Sequence, residues 1–140
     1  MSSLPNRLNE IVEEFALCVG QEKLEYLLYY AEQYEPLPDW LAGKRDEMEQ
    51  VHECMTPVFI HVEQKDGRLT YYFDVPPESP TVRGFASFLS QGINGSTPAE
   101  VAAIPEAFYL ETGLNQVLSP QRLNGLSAIL AYMKRLALQL

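Results

Sequence analysis

The chain has 140 residues, 46% of them hydrophobic and 21% charged, enough for one domain with its own core near the commonest domain size of ~100–150 residues, and the composition excludes a disordered tail, a collagen-like repeat and a coiled coil. Lys and Arg number 10 against 19 Asp and Glu, a net charge of -9, which argues against nucleic acid and against an anionic membrane surface, since both reward positive charge. No apolar run approaches the ~20 residues that span a bilayer, and the opening Met1-Ser2-Ser3-Leu4-Pro5 has neither secretory nor transit-peptide character, so we expect a cytoplasmic chain folded as a single domain over residues 1–140.

Leu8, Ile11, Val12 and Phe15 recur at helical spacing and predict an amphipathic helix beginning near Pro5, with Cys18 three residues on along the same face. Gly20 interrupts, and Leu24, Leu27, Leu28 and Ala31 repeat the period over Gln21 to Gln33, which predicts a helical hairpin ended by Pro36 and Pro38. Gly43 to Cys54 is polar and reads as a loop with a short strand around Met48 to Val51. From Pro57 the period becomes two: Val58, Ile60 and Val62 alternate with Phe59, His61 and Glu63, and Leu69, Tyr71 and Phe73 alternate with Thr70 and Tyr72 beyond Lys65-Asp66-Gly67. That is a β-hairpin. Ser79-Pro80 predicts an N-cap with proline at the first helical position, for a helix carrying Val82, Phe85, Ala86 and Leu89. Thr97-Pro98-Ala99-Glu100 has the pattern of a capping box. A further helix is expected from Pro105 to Thr112, stopping at Gly113, and a last one from Ser119-Pro120 with Leu123, Leu126, Leu130, Met133 and Ala137 on one stripe. The fold class is α+β: an N-terminal helical hairpin, a small antiparallel sheet, and C-terminal helices packed on one face.

Two cysteines cannot make a disulfide framework, so chemistry at either would be that of a thiol. Cys54 lies in Gln50-Val51-His52-Glu53-Cys54-Met55-Thr56-Pro57, a connection without amphipathic period just before the best strand, where a rigid scaffold can present a reactive group. Cys18, on the apolar face with Phe15, reads as core packing. Lys44, Arg45 and His52 favour a Cys54 thiolate while Glu53 opposes it. His52, Cys54 and His61 as zinc ligands lack paired spacing and a fourth ligand, and surface positions are the preferred reading of both histidines. A papain-like Cys–His pair is conceivable, and would need a histidine within reach of the sulfur and an oxyanion hole. Gly84, Gly92 and Gly95 stand in no phosphate-loop context. Asp46, Glu47, Glu49 and Glu53 read first as a solvated loop, with docking of a basic partner as the functional alternative.

The run Phe108-Tyr109-Leu110-Glu111-Thr112-Gly113-Leu114-Asn115-Gln116-Val117-Leu118-Ser119-Pro120-Gln121-Arg122-Leu123-Asn124-Gly125-Leu126 closely resembles the signature of the SufE family, in which an aromatic and a short spacer precede Gly-Leu and then Leu-[ST]-Pro-x-Arg-x-Asn-Gly-Leu. Val82-Arg83-Gly84, Thr97-Pro98-Ala99-Glu100-Val101 and Leu37-Pro38 match further family positions. Its motif V-x-G-C-x-S-x-V-[WY] reads here Val51-His52-Glu53-Cys54-Met55-Thr56-Pro57-Val58-Phe59. Cys54 and the valines are kept, Glu53 stands for the glycine, and Pro57 for a polar residue.

The resemblance implies a sulfur acceptor that takes sulfur onto Cys54 as a persulfide from a cysteine desulfurase of the SufS or CsdA type, stimulates that enzyme, and passes sulfur to a downstream iron-sulfur scaffold. It implies a carrier that is not itself an enzyme, with no cofactor of its own, the pyridoxal phosphate belonging to the desulfurase, and no metal site. The alternative is a partner-binding regulator of a desulfurase that lacks persulfide chemistry, favoured by Glu53, with a thiol hydrolase behind it. Glycine before the cysteine would permit backbone shapes that are strained for glutamate. Arg122, in the first turn of the last helix where a cation opposes the dipole, is expected to be structural, paired with the sheet or an acidic loop.

Overall fold

Helical spacing of apolar residues closes the N-terminal part into two helices, and in the computed structural model, which describes residues 4–140, α1 spans Asn6–Leu17 and α2 Gln21–Glu32. Leu8, Ile11, Val12 and Phe15 of α1 are buried as the period requires. In α2 the buried stripe is Lys23, Leu27 and Tyr30, a correction to the expected leucine stripe: Leu28 is 44% exposed and Leu24 only half-buried. The charge of Lys23 draws it inward, because its Nζ donates to Phe15 O at 2.8 Å and Thr112 O at 3.0 Å. Each carbonyl ends a helical turn, where the last C=O groups lack intrahelical donors and a cation is favoured.

Strands β1 (Glu49–Gln50), β2 (Phe59–Lys65) and β3 (Arg68–Asp74) form an antiparallel sheet in that order. The hairpin register pairs Lys65 with Arg68 and Phe59 with Asp74, set by Asp66 and Gly67, which both take positive φ, 54° and 77°, as a two-residue hairpin turn of the primed type demands. Ile60, Leu69, Tyr71 and Phe73 point into the core with Val58, while Val62 is only half-buried.

Helix α3 (Pro80–Ile93) runs through the centre of the molecule, with Phe85, Phe88 and Leu89 fully buried. Its Gly84 and Gly92 admit the hairpin at close range: a Cβ would sit 2.6 Å from Leu27 O at the first and 2.8 Å from Leu8 Cα at the second. Short α4 (Pro98–Ala102) starts on the expected capping box, Thr97 Oγ1 accepting from Glu100 N at 3.2 Å and Glu100 Oε1 from Thr97 N at 2.9 Å. Phe108–Thr112 is 3-10 rather than α-helical and ends at Gly113 (φ 76°), and a second short 3-10 turn, Leu114–Gln116, leads to α5 (Pro120–Leu138). Ser119 caps α5 through Arg122 N at 3.3 Å, and Leu123, Leu126, Leu130, Met133 and Ala137 are all buried. α5 packs on the sheet, where Tyr71 OH donates to Met133 O at 2.7 Å. One apolar cluster joins these elements. Burying each Leu or Phe in it contributes about 1.5–3 kcal/mol relative to exposure. Among the described residues no helix is long and apolar enough to cross a membrane.

Candidate functional site

The Cys54 loop leaves the sheet at Val51 and returns at Val58, both fully buried. Val51 N donates to Val58 O at 2.8 Å, so the loop is pinched at its neck and residues 52–57 bulge as a small turn-bearing excursion, with Cys54 N reaching back to Val51 O at 3.4 Å. The flanking valines anchor the loop; the residues between them supply no apolar anchor of comparable burial.

Helix α5 grips that excursion from one side. Its Gly125 faces the sulfur: a Cβ there would lie 3.4 Å from Cys54 Sγ. One turn earlier Gln121 Nε2 contacts Met55 Sδ, and further along Tyr132 OH donates to Glu53 Oε1 at 2.7 Å. Arg135 then lies 4.4 Å over the Tyr132 ring and pairs with Glu49 of β1. Helix α3 holds the other side. Ser79, expected as its N-cap, makes no capping bond; its hydroxyl is 3.1 Å from Thr56 Oγ1 instead. Thr97 and Ser119 cap their helices with proline at the same first position, so at Ser79 it is the contact with Thr56 that takes the place of the cap.

Cys54, Met55 and Thr56 thus line a cavity of about 280 Å³ with Val82 and Phe85 of α3 and Ser119, Gln121, Arg122 and Gly125 of α5. Cys54 itself is half-buried and packs against the core, whereas Met55 beside it is 80% exposed. The sulfur is therefore sheltered at the mouth of the cavity on a loop whose next residue projects into solvent.

Of the two cysteines, Cys18 departs from the core position expected of its sequence context. Cys54 is the one that touches the core; Cys18, expected within it, terminates α1 half-buried, its thiol donating to Glu14 O at 3.4 Å. Its pKa is pushed up, first by burial and then by the Glu22 carboxylate. The helix ends at Leu17, so the period that would have placed Cys18 inward stops one residue short.

Glu53 also differs from expectation. Its φ is not positive, so the glutamate takes an ordinary backbone shape, and its carboxylate is engaged by Tyr132. That hydrogen bond holds the Glu53 carboxyl below the usual glutamate range and pushes the Tyr132 phenol up. The acidic cluster is divided: Glu49 and Glu53 tie the loop to α5, while Asp46 and Glu47 stand exposed on a 3-10 turn, Arg45–Glu47. Arg122 corrects another expectation. It pairs with neither the sheet nor an acidic loop; its exposed side chain makes no hydrogen bond or ion pair with the described residues and lines the Cys54 cavity.

Neither histidine serves the sulfur. His61 on β2 bonds Glu63 at 2.5 Å and packs edge-on to Trp40, His52 is exposed, and Cys54 Sγ makes no hydrogen bond. A nucleophile–base pair is absent from the described residues, which removes the basis for a papain-like hydrolase. Nor do three His, Cys, Asp or Glu side chains converge anywhere among them as a metal site would require. Sequence reasoning missed Tyr132, Gly125 and Gln121. Only Gly125 carried a signal, as a glycine inside a helical stripe, which marks a close approach.

The comparisons with known proteins agree with this architecture. A solution structure of a hypothetical protein from Thermus thermophilus superimposes with a TM-score of 0.83 at 37% identity, covering 98% of this chain and 99% of that one. An uncharacterized SufE-like protein of Mycobacterium tuberculosis is 46% identical over 135 residues, 96% of this chain and 93% of the relative. The sulfur acceptor protein CsdE of Escherichia coli is 30% identical over 111 residues, 78% of this chain and 72% of its own length. With residues 9–137 also matching the SufE family, an Fe-S metabolism associated domain, the chain belongs to the SufE family.

Proposed function

We propose that this protein is a sulfur acceptor in iron-sulfur metabolism, working in the cytoplasm as one domain, with Cys54 as its sulfur-bearing group. The observation that carries the reading is the placement of Cys54: a thiol sheltered against Gly125 and an apolar wall, on a loop pinched at its neck, with an exposed residue beside it. Such a group is accessible to a partner's sulfur yet shielded between encounters.

The chemistry is thiol exchange at sulfur. The Cys54 thiolate attacks the outer sulfur of a persulfide held on a cysteine desulfurase; a Cys54 S–S bond forms, the partner's S–S bond breaks, and the partner leaves as thiolate. No external oxidant or reductant is needed. Emptying the desulfurase in this way stimulates its turnover, and the Cys54 persulfide is passed to a downstream cluster scaffold. The protein needs no pyridoxal phosphate, which stays with the desulfurase. Tyr132 engages the Glu53 carboxylate and leaves it charged, so the alternative of a regulator without persulfide chemistry is decided by the measurement below.

The test is intact mass after incubation with a cysteine desulfurase and L-cysteine, free thiols being alkylated. A gain of about 32 Da that reduction removes and Cys54→Ser abolishes is the expected result. No gain, with the desulfurase active on another acceptor, would leave the regulator reading in its place.

A further inference from the structure

On the side of the sheet away from β2, the outward backbone groups of β3 and the residue after it are almost all satisfied by the protein itself. Leu69 N donates to Ser96 O and Leu69 O accepts from Gly95 N, both at 2.8 Å. Tyr71 N donates to Asn94 Oδ1 at 2.8 Å, and Phe73 O accepts from Tyr34 OH at 2.9 Å. Val75 N donates to Tyr34 OH and Val75 O accepts from Arg83 Nε, both at 3.0 Å. The groups left over on this edge are Tyr71 C=O and Phe73 N–H, which have no partner among the described residues. An open edge is normally covered along its length. Here the cover has one gap, the length of a single residue.

The gap opens on a cavity of about 310 Å³ between β3, the second half of α3 and the segment from Gln33 to Pro38, and the cavity shares no residue with the one at Cys54. Ser87 lines it, is only 5% exposed, and its hydroxyl makes no hydrogen bond. No fully enclosed side-chain polar atom lacks a partner among the described residues, so the Ser87 hydroxyl faces the open space. Ser90, one turn away, adds a second unbonded hydroxyl. The lining holds no Lys, Arg or His, and Glu35 is its one charge, so a phosphate, a carboxylate or a free amino acid finds no counter-ion there.

We propose that this cavity receives an extended, neutral peptide segment of a partner protein, added to the sheet alongside β3 and parallel to it. Direction follows from which groups are free. An antiparallel partner would reach these two groups only with two of its residues two positions apart, each of which would also face an N–H or C=O already taken, Tyr71 N by Asn94 and Phe73 O by Tyr34. In a parallel pair one incoming residue donates to the C=O before, and accepts from the N–H after, the residue it faces, here Tyr72. Main-chain bonds of this kind supply affinity in strand addition and side-chain pockets supply selectivity. The cavity is at the small end of the ~300–1,000 Å³ range of ligand sites, which admits a strand segment and excludes a helix.

The test uses the full chain, 15N-labelled, with acetyl-trialanine-N-methylamide as probe. At ten times its Kd the peptide should slow hydrogen exchange of the Phe73 amide about tenfold, while an analogue N-methylated at the bridging residue, unable to donate to Tyr71 O, gives less than about twofold. Ser90→Leu, which fills the cavity, should abolish the protection and the milder Ser87→Ala should reduce it, thermal melts confirming that both fold. Cys54→Ser should leave it unchanged, which separates this site from sulfur transfer. Absent protection at Phe73, equal protection by the N-methylated analogue, or equal protection by acetamide at the same concentration would overturn the proposal.

Discussion

Two regions of this molecule join segments far apart in the chain, and they do so by opposite means. At Lys23, 4% exposed, a buried ammonium holds Phe15 O and Thr112 O, backbone to both sides. At the Cys54 loop the contacts are side chain to side chain and exposed or only part-buried: Tyr132 to Glu53, Gln121 to Met55, Thr56 to Ser79. Breaking the first leaves buried groups without partners, while breaking the second exposes groups that water satisfies. The lysine junction is built to stay shut, and the loop is held closed by contacts that can be released one at a time.

The largest expected effect therefore lies at Lys23. Lys23→Met leaves Thr112 O buried and unbonded and Phe15 O with the Cys18 N–H alone, and the cost is about 2 kcal/mol in denaturant unfolding, with little change in Cys54 reactivity in the folded state. A loss below about 1 kcal/mol would mean that water replaces the ammonium there. Gly113 belongs to the same junction, since a Cβ on it would fall 2.7 Å from Lys23 Nζ.

At Tyr132 the balance reverses. Tyr132→Phe keeps the ring beneath Arg135 and removes the hydroxyl that holds Glu53, so stability should change little while alkylation of Cys54 by iodoacetamide speeds up severalfold. The hydrogen bond lowers the Glu53 pKa, so its contribution is present above the ordinary glutamate pKa of about 4.3 and lost as pH falls through the lowered folded value. A carbon-13 titration of the Glu53 carboxyl should accordingly show a midpoint below that of an exposed glutamate, returning to the ordinary range in Tyr132→Phe. An unchanged midpoint would show that the phenol does not hold the loop.

The same contrast explains what the sequence disclosed. Elements governed by local period and turn chemistry were legible: α1, the hairpin with Asp66-Gly67, the Thr97 capping box and the α5 stripe follow from spacing alone. The position of Cys54 ahead of the best strand marked it as a candidate. Contacts across long sequence separations were not legible, because no local rule pairs Lys23 with Thr112 or Glu53 with Tyr132. Ser79 shows the limit from the other side, since a correct N-cap residue at the correct position gives its hydroxyl to the loop. Cys18 shows it again: its helical phase points inward, but the helix has ended.

Gly125 gives a third, smaller test in which stability and function should move apart. Alanine is favoured over glycine in a helix interior by up to about 1 kcal/mol, and its methyl would meet Cys54 Sγ at 3.4 Å, a contact the thiol can accommodate. On the proposed function, a persulfide on Cys54 would need the space that the methyl takes. Gly125→Ala should thus unfold at equal or higher denaturant while accumulating less of the sulfur adduct. A normal adduct yield would place the outer sulfur away from α5.

The smallest effect is expected at the other cysteine, and it isolates what the loop contributes beyond carrying a thiol. Cys18 lies half-buried at the end of α1, among Glu14, Glu22 and Tyr26, with its pKa raised by burial and by the nearby Glu22. A thiol so placed is protonated at neutral pH and slow to attack, because the thiolate is the nucleophile. Cys18→Ser keeps a donor for Glu14 O and should change stability by less than about 0.5 kcal/mol, leaving the sulfur adduct intact. Alkylation of Cys18, followed in Cys54→Ser so that the two thiols are separated, should accelerate only as pH rises above the ordinary thiol range of about 8.5. If Cys18 took up sulfur at neutral pH, a shielded loop held by releasable contacts would not be what distinguishes the acceptor, and the contrast between the two regions would fail at its chemical end.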